Sequence, residues 1–294
     1  MKNLRGSGNE VHCLDIRGEP PSDTQCDSWF SFLLPDRRLP ELLSSLRPDV
    51  LVHAAGPAQV GRSVERPFED FSGSALAWAS VLDAIRLSDV PCRSVFLSSA
   101  AVYGPTTDLP TREQAEQRPI SPYGYHKQMC ERLSEYYVNL FGLEVSTLRL
   151  FSAYGAGLRK QIMWDVCQKA IGGKTIMLLG SGTETRDFVE VRDIATAVET
   201  VLLAGDFSAG VYNVGSGSGT LIRQVAERLV FTLGTGNDIE FTGTVRAGDP
   251  LHYQADTTKV RSLGWKPIIP IERGIADYAH WFLAECSPRA EAPS

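Results

Sequence analysis

The sequence predicts an α/β protein with a doubly wound parallel sheet and a smaller C-terminal lobe. The first supporting observation is a set of short β-branched or apolar runs: VHCLDI (11–16), VLVHAA (50–55), SVFLSS (94–99) and EVSTLRLF (144–151). The second is what lies between them, stretches such as 71–88 and 123–141 in which apolar residues recur at helical spacing. Alternation of this kind reads as successive βαβ units. The third is that each run ends in small or polar residues. In an open parallel sheet, ligands bind outside the carboxyl ends of the strands. Asp15, His53 to Gly56, Ser98 to Ala100 and Ser152 are therefore expected to face one crevice.

After residue 152 the pattern is less regular. Gly-rich turns occur at GSGTETRD (180–187) and GSGSGT (215–220), with helical patterns near 162–172, 190–204, 220–234 and 270–285. The expected division is 1–155 for the sheet domain, 156–286 for the mixed lobe and 287–294 (SPRAEAPS) for a loose tail.

The 294 residues are 43% hydrophobic, enough to bury a substantial core. A net charge of −6 and the lack of a lysine/arginine block give no electrostatic footprint for nucleic acid. The six cysteines, Cys13, Cys26, Cys92, Cys130, Cys167 and Cys286, form no CxxC pair and show no zinc-ligand spacing, so no metal site and no disulfide framework is expected. No run reaches the roughly 18 apolar residues of a membrane span, and the N-terminus does not read as a signal peptide. A cytoplasmic location is the expectation.

Tyr123 and Lys127 lie in SPYGYHK at i, i+4, so on a helix they share one face. An ammonium beside a phenol favours the phenolate, which would lower the tyrosine toward the range of an acid/base catalyst. Alone, the spacing fits a surface helix equally well. SSAAVYG (98–104) supplies the context: at a strand end, Ser99 can reach the substrate oxygen that the phenol reaches. Asp15 closes its strand where a carboxylate can accept from an adenosine ribose 2′-hydroxyl and repel a 2′-phosphate, which favours NAD over NADP. It fits a turn before Arg17 and Gly18 as well, and Arg17 could instead accommodate a phosphate.

SSAAVYG, SPYGYHK, RLFSAYG, GTETRDFVEVRDIA and VRAGDPLHYQADTTKVRSLGWKP occur in order, and together they resemble the NAD-dependent epimerase/dehydratase family, the extended short-chain dehydrogenase/reductases, of the UDP-glucose/galactose 4-epimerase kind. The resemblance spans roughly 10–284. It implies a Rossmann-like fold and a tightly held NAD, with Tyr123 as acid/base, Lys127 on the nicotinamide ribose and Ser99 on the reacting hydroxyl. It also implies that Ala54, Ala55 and Gly56 pass the cofactor and that Ser63 borders the substrate. Arg186 and Arg246 would clamp a nucleotide-sugar diphosphate, with Asp249 near its ribose. A guanidinium fork suits phosphate oxygens, although either arginine could instead pair with Asp187 or Asp249.

Two departures narrow the activity. Where the family's dehydratases carry an acidic pair before VYG, this sequence has Ala100 and Ala101, which argues against dehydration. Ser152 replaces the family's asparagine and leaves the sugar contact open. A glycine-rich phosphate loop should precede the Asp15 strand by about 20 residues, and this sequence shows none there. The family's first strand is central to its sheet, so the strands flanking it would lack a ladder partner. The expectation is a reading frame incomplete at its N-terminus, with a degenerate relative as the alternative.

The functional expectation is an NAD-dependent nucleotide-sugar epimerase acting at C4 through a keto-sugar. The alternatives are a net reductase and a cofactor-deficient nucleotide-sugar binding protein. A homodimer through helices 71–88 and 123–141 is also expected, lined by Ala75, Trp78, Leu82, Leu133, Tyr137 and Phe141. The same stripe is compatible with ordinary core packing.

Overall fold

The structure, a computed structural model, describes residues 2–6, 8–21, 24–173, 175–244 and 251–286. The chain starts with α1 (Lys2–Gly6), β1 (His12–Asp15), β2 (Ser28–Ser31), α2 (Leu39–Leu46) and β3 (Val50–His53). Next come α3 (Val60–Glu65), α4 (Pro67–Phe71), a π-helical turn at Ser72–Leu76, α5 (Ala77–Ser88) and β4 (Arg93–Ser99). After a 3₁₀ turn at Ala100–Val102 follow α6 (Pro122–Phe141), β5 (Glu144–Leu150), β6 (Ser152–Tyr154), α7 (Gln161–Gly172) and β7 (Thr175–Leu178). The remainder is β8 (Thr185–Arg186), β9 (Phe188–Glu190), α8 (Val191–Ala204), β10 (Ser208–Val214), β11 (Thr220–Leu221), α9 (Ile222–Leu233), β12 (Asp238–Phe241), α10 (Thr258–Ser262) and α11 (Ile271–Cys286). The four apolar runs are β1, β3, β4 and β5.

The main sheet is parallel, in the order β10-β5-β4-β3. One face packs on α2, α5 and α6 through Leu39, Trp78, Leu82, Phe96, Cys130 and Val145. The other packs on α8 through Val95, Leu148, Ile194 and Val201, with Trp265 closing that side. The parallel pair β1–β2 stands as a separate sheet. Among the described residues β1 pairs only with β2 and β3 only with β4, yet Leu14 and Leu51 pack against the same core. Both pieces of sheet therefore rest on one helical layer.

The expected boundary at residue 155 needs correction. β10 joins the main sheet beside β5, and α8 covers that sheet, so residues past 155 complete the first domain. The pairing is long-range and carries no local marker in the sequence. The second core gathers α7, β7, α9 and α11 around Met163, Ile176, Leu229 and Phe282. The proposed tail, 287–294, lies outside the described residues.

The stripe offered as a dimer face is largely interior. Trp78 and Leu82 are 0% exposed and Ala75 is 4% exposed, all in the core between α5, α6 and the sheet. Tyr137 is buried and Leu133 half-buried in that core, which leaves Phe141 as the one exposed member. Burial against the chain's own sheet accounts for the helical periodicity there.

Candidate active site

Helix α6 delivers the central pair, and its start is fixed by sequence. Ser121 caps it by accepting from the Gly124 amide at 3.2 Å, Pro122 opens its first turn, and Gly142 ends it in the left-handed region. Gly124 is needed for close approach: a Cβ there would stand 2.6 Å from the Ala101 carbonyl oxygen. Its absence brings α6 against the turn that follows Ser99.

Tyr123, Lys127 and Ser99 meet at the carboxyl end of β4. Ser99 is near enough to the Tyr123 phenol to act on its ionisation, and its Oγ accepts from the Ala101 amide at 3.2 Å, capping the 3₁₀ turn. Lys127 Nζ donates to the Leu97 carbonyl at 3.0 Å and lies 4.9 Å from the Phe96 ring centre and 5.9 Å from that of Tyr123. Both side chains are buried. Burial is the largest influence on each, raising the phenol and lowering the ammonium, while Ser99 pulls the phenol back down. The expectation that Lys127 sets a lowered phenol is thus corrected: desolvation dominates, and both groups lean toward their neutral forms.

The other expected residues fall into three groups. Asp15 ends β1 with its Oδ1 accepting from the Arg17 amide at 3.0 Å, the turn geometry, while the carboxylate stays partly exposed. Ala54, Ala55 and Gly56 follow β3 as an exposed segment. Gly56 has φ +117°, and a Cβ on it would meet the Gly73 carbonyl oxygen at 2.8 Å, so this segment lies directly on the π-helical turn. Ser152 sits half-buried on β6, where its amide donates to Asp187 O.

Ser63 is fully buried, and its hydroxyl donates to Val60 O at 2.7 Å while accepting from the Tyr123 amide at 3.1 Å. It touches the site by holding the start of α6. Arg186, on β8, donates from Nη1 to Thr185 O and Leu251 O and lies over the Tyr253 ring. Asp187 is not its partner: that carboxylate is wholly buried and accepts from Ser216, Gly217 and Ala255. Arg246 and Asp249 lie outside the described residues.

Several side chains near the site escaped the sequence reading. Asp70 Oδ2 and His126 Nδ1 are 2.6 Å apart, both residues buried, immediately beside the Tyr123–Lys127 face. Ser74 Oγ is buried without a hydrogen-bond partner, 3.9 Å from where a Gly56 Cβ would stand. Lys160, just ahead of α7, donates to Ala58 O at 3.3 Å. The available signals were a carboxylate in the apolar stripe of 68–85 and a histidine beside Lys127. Neither identifies its partner.

Residues 1–215 match the NAD dependent epimerase/dehydratase family. The chain is 32% identical over 271 residues to a UDP-glucose 4-epimerase of Corynebacterium glutamicum, covering 86% of this chain and 81% of that protein. It is 30% identical over 251 residues to a putative UDP-glucose 4-epimerase of Methanocaldococcus jannaschii, covering 84% and 81%. Among solved structures, MoeE5 in complex with UDP-glucuronic acid and NAD superposes with a TM-score of 0.88 at 27% identity, covering 97% of this chain and 94% of that one. The UDP-glucose 4-epimerase of Thermotoga maritima with UDP-glucose gives a TM-score of 0.89 at 25% identity, with the same coverage. A parallel sheet, a serine at the end of its β4, and a tyrosine and lysine one helical turn apart are accounted for together: the chain belongs to the NAD dependent epimerase/dehydratase family.

Proposed function

We propose that this protein is an NAD-dependent nucleotide-sugar epimerase that inverts C4 through a transient keto-sugar. The observation that carries the reading is the convergence of Ser99, the Tyr123 phenol and Lys127 Nζ at the carboxyl end of β4, with Nζ 5.9 Å from the Tyr123 ring centre. A sugar hydroxyl placed between Ser99 and Tyr123 would have a donor and a proton acceptor on one oxygen.

The residues present fit a dinucleotide around its nicotinamide ribose. Ala54 to Gly56 offer an open backbone beside the buried, unpartnered Ser74 hydroxyl, Lys127 reaches the same crevice, and the Asp15 carboxylate is exposed enough to accept from a ribose. When bound, NAD supplies the hydride acceptor and donor. The protein's own contribution is proton handling and orientation. Tyr123 takes the C4 hydroxyl proton as the C4 hydride departs, and Ser99 holds the oxygen as it becomes a carbonyl. After the keto-sugar turns over, Tyr123 returns the proton as hydride arrives on the opposite face. Lys127 favours the phenolate that Tyr123 needs before it takes the proton and regains once it has returned it. Arg186, with Arg246 and Asp249, is assigned to the nucleoside diphosphate, and Ser152 to the sugar or diphosphate. The relatives' names support a UDP-hexose as substrate.

Ala100 and Ala101 place two methyl groups where 4,6-dehydration requires an acid and a base, which supports epimerisation over elimination. Pairing of two copies through α6 is part of the proposal, since Tyr125, Met129, Tyr136, Leu140 and Phe141 are exposed along it. Light scattering at the mass of two chains would support it.

The test is turnover of UDP-glucose or UDP-galactose with NAD, followed by chromatography and by absorbance of the reduced nicotinamide. The expected result is interconversion of the two sugars without net NADH change. Stoichiometric NADH consumption or formation would contradict it and favour a reductase.

A further inference from the structure

Behind the Tyr123–Lys127 face lies a buried pair that the proposed chemistry does not use. His126 follows Tyr123 by three positions on α6, and its Nδ1 meets Asp70 Oδ2 of α4 at 2.6 Å. Asp70 is 3% exposed and His126 8%. Phe71 closes one side, its ring edge-on to the imidazole at 5.6 Å. The second carboxylate oxygen, Asp70 Oδ1, is buried with no hydrogen-bond partner. A buried carboxylate of this kind is costly, so the balance of charge around it matters.

On α6, Cys130 is a buried thiol pushed up to about 12 by burial, and therefore neutral. Glu131, also on α6, is answered by Arg149 of β5, which reaches Oε2 at 2.7 Å from Nη2. His53 of β3 is stacked on Phe96 and pushed down to about 3 by burial and by Lys127, so it too is neutral. Lys160, ahead of α7, donates to Ala58 O, and burial and then Lys127 lower its ammonium. On α3 and α4, Arg62, Arg66 and Glu69 are exposed and pair with one another. Asp70 Oδ2 is held by the His126 ring, and among the described residues no lysine or arginine pairs with Asp70.

We infer that Asp70, tethered by His126, is a positioning residue that sets the proton balance of the Tyr123–Lys127 pair. Its negative charge stabilises the Lys127 ammonium against burial and opposes the Tyr123 phenolate, so both groups ionise at higher pH than they would without it. The geometric reason is that α4 packs directly on α6 and aims this carboxylate at the helix carrying both groups. Consistently, Asp70 acts upward on both groups in this structure. The inference rests on the assignment of Tyr123 and Lys127 as the reacting pair.

The experiment substitutes Asp70→Asn in the full chain and reads two quantities. One is the pH profile of kcat/KM; the other is the ionisation of Tyr123 followed by ¹³C NMR of ring-labelled tyrosine, assigned with Tyr123→Phe. The expected result is a downward shift of about one pH unit in both limbs of the profile and in the Tyr123 titration. His126→Asn removes the tether but keeps the charge, so its titration stays near that of the parent while stability falls. Asp70→Ser carries the same expectation as Asp70→Asn if the latter does not fold. A loss of stability in Asp70→Asn or Asp70→Ser with no shift of the Tyr123 titration would overturn the inference. An unaltered rate in Tyr123→Phe would instead overturn the catalytic assignment, and the NMR titration would still report whether Asp70 acts on the phenol.

Discussion

Arg149 and Glu131 form a fully buried two-point pair: Arg149 Nη2 donates to Glu131 Oε2 at 2.7 Å and Nε to Oε1 at 3.0 Å. Ser98 Oγ donates to the same carboxylate at 2.6 Å, and Arg149 Nη1 donates to the Tyr103 hydroxyl at 2.8 Å. The network staples the end of β4 to the middle of α6, one residue from Ser99 and one turn from Lys127. Glu131→Ala would leave a buried guanidinium unpaired, which costs about 3–5 kcal/mol. Chemical denaturation should show a lower midpoint at unchanged slope. An unaltered midpoint would remove the network from the account.

Gly124 controls how closely α6 meets the Ser99 turn. Gly124→Ala places a methyl group 2.6 Å from Ala101 O, a backbone atom that cannot swing aside. The expected outcome is a kcat lowered by about ten-fold or more, because a small displacement of reacting groups is expensive. Steady-state kinetics on folded variant protein checks this, and a parent-like kcat would contradict it.

His53 gives a pH signature that belongs to stability. Burial, reinforced by Lys127, lowers the folded-state value to about 3 from an ordinary value of 6.5. Between those values the unfolded chain binds the proton and the folded chain does not, so the contribution is whole above about pH 6.5 and is lost as pH falls toward 3. His53→Phe should flatten the slope of stability against pH in that window by up to about 1.4 kcal/mol per pH unit. Urea titrations at several pH values measure it. An unchanged slope would mean that the ring is accessible to protons.

Ser63 tests the distinction between contact and support. Its hydroxyl is engaged with Val60 O and the Tyr123 amide. Ser63→Ala should therefore cost about 1 kcal/mol of stability and alter kcat more than KM for the sugar nucleotide. A selective rise in KM would restore the direct substrate contact.

Much of this arrangement was legible because it is local. Alternating apolar runs marked four of the strands, and the spacing of Tyr123 and Lys127 placed them on one helical face. Ser99 at a strand end completed the set. What stayed hidden depends on residues far apart in the chain. Asp70 and His126 meet across 56 positions, and Arg149 reaches Tyr103 across 46. Recruitment of β10 into the first sheet is likewise non-local. The apolar stripe at Trp78 and Leu82 shows the opposite failure, since periodicity marks a buried face without saying what buries it. The same holds for the phenol: the i, i+4 spacing showed a lysine nearby, and only the three-dimensional burial showed desolvation to be the larger effect.

The central claim is a hydride that leaves C4 and returns to C4 without leaving the protein. The most direct measurement is turnover of UDP-glucose deuterated at C4, with the product analysed by mass spectrometry and NMR. The expected product is UDP-galactose with deuterium retained at C4 and no accumulation of reduced nicotinamide. Loss of the label to solvent, or one equivalent of deuterated NADH per sugar converted, would contradict it.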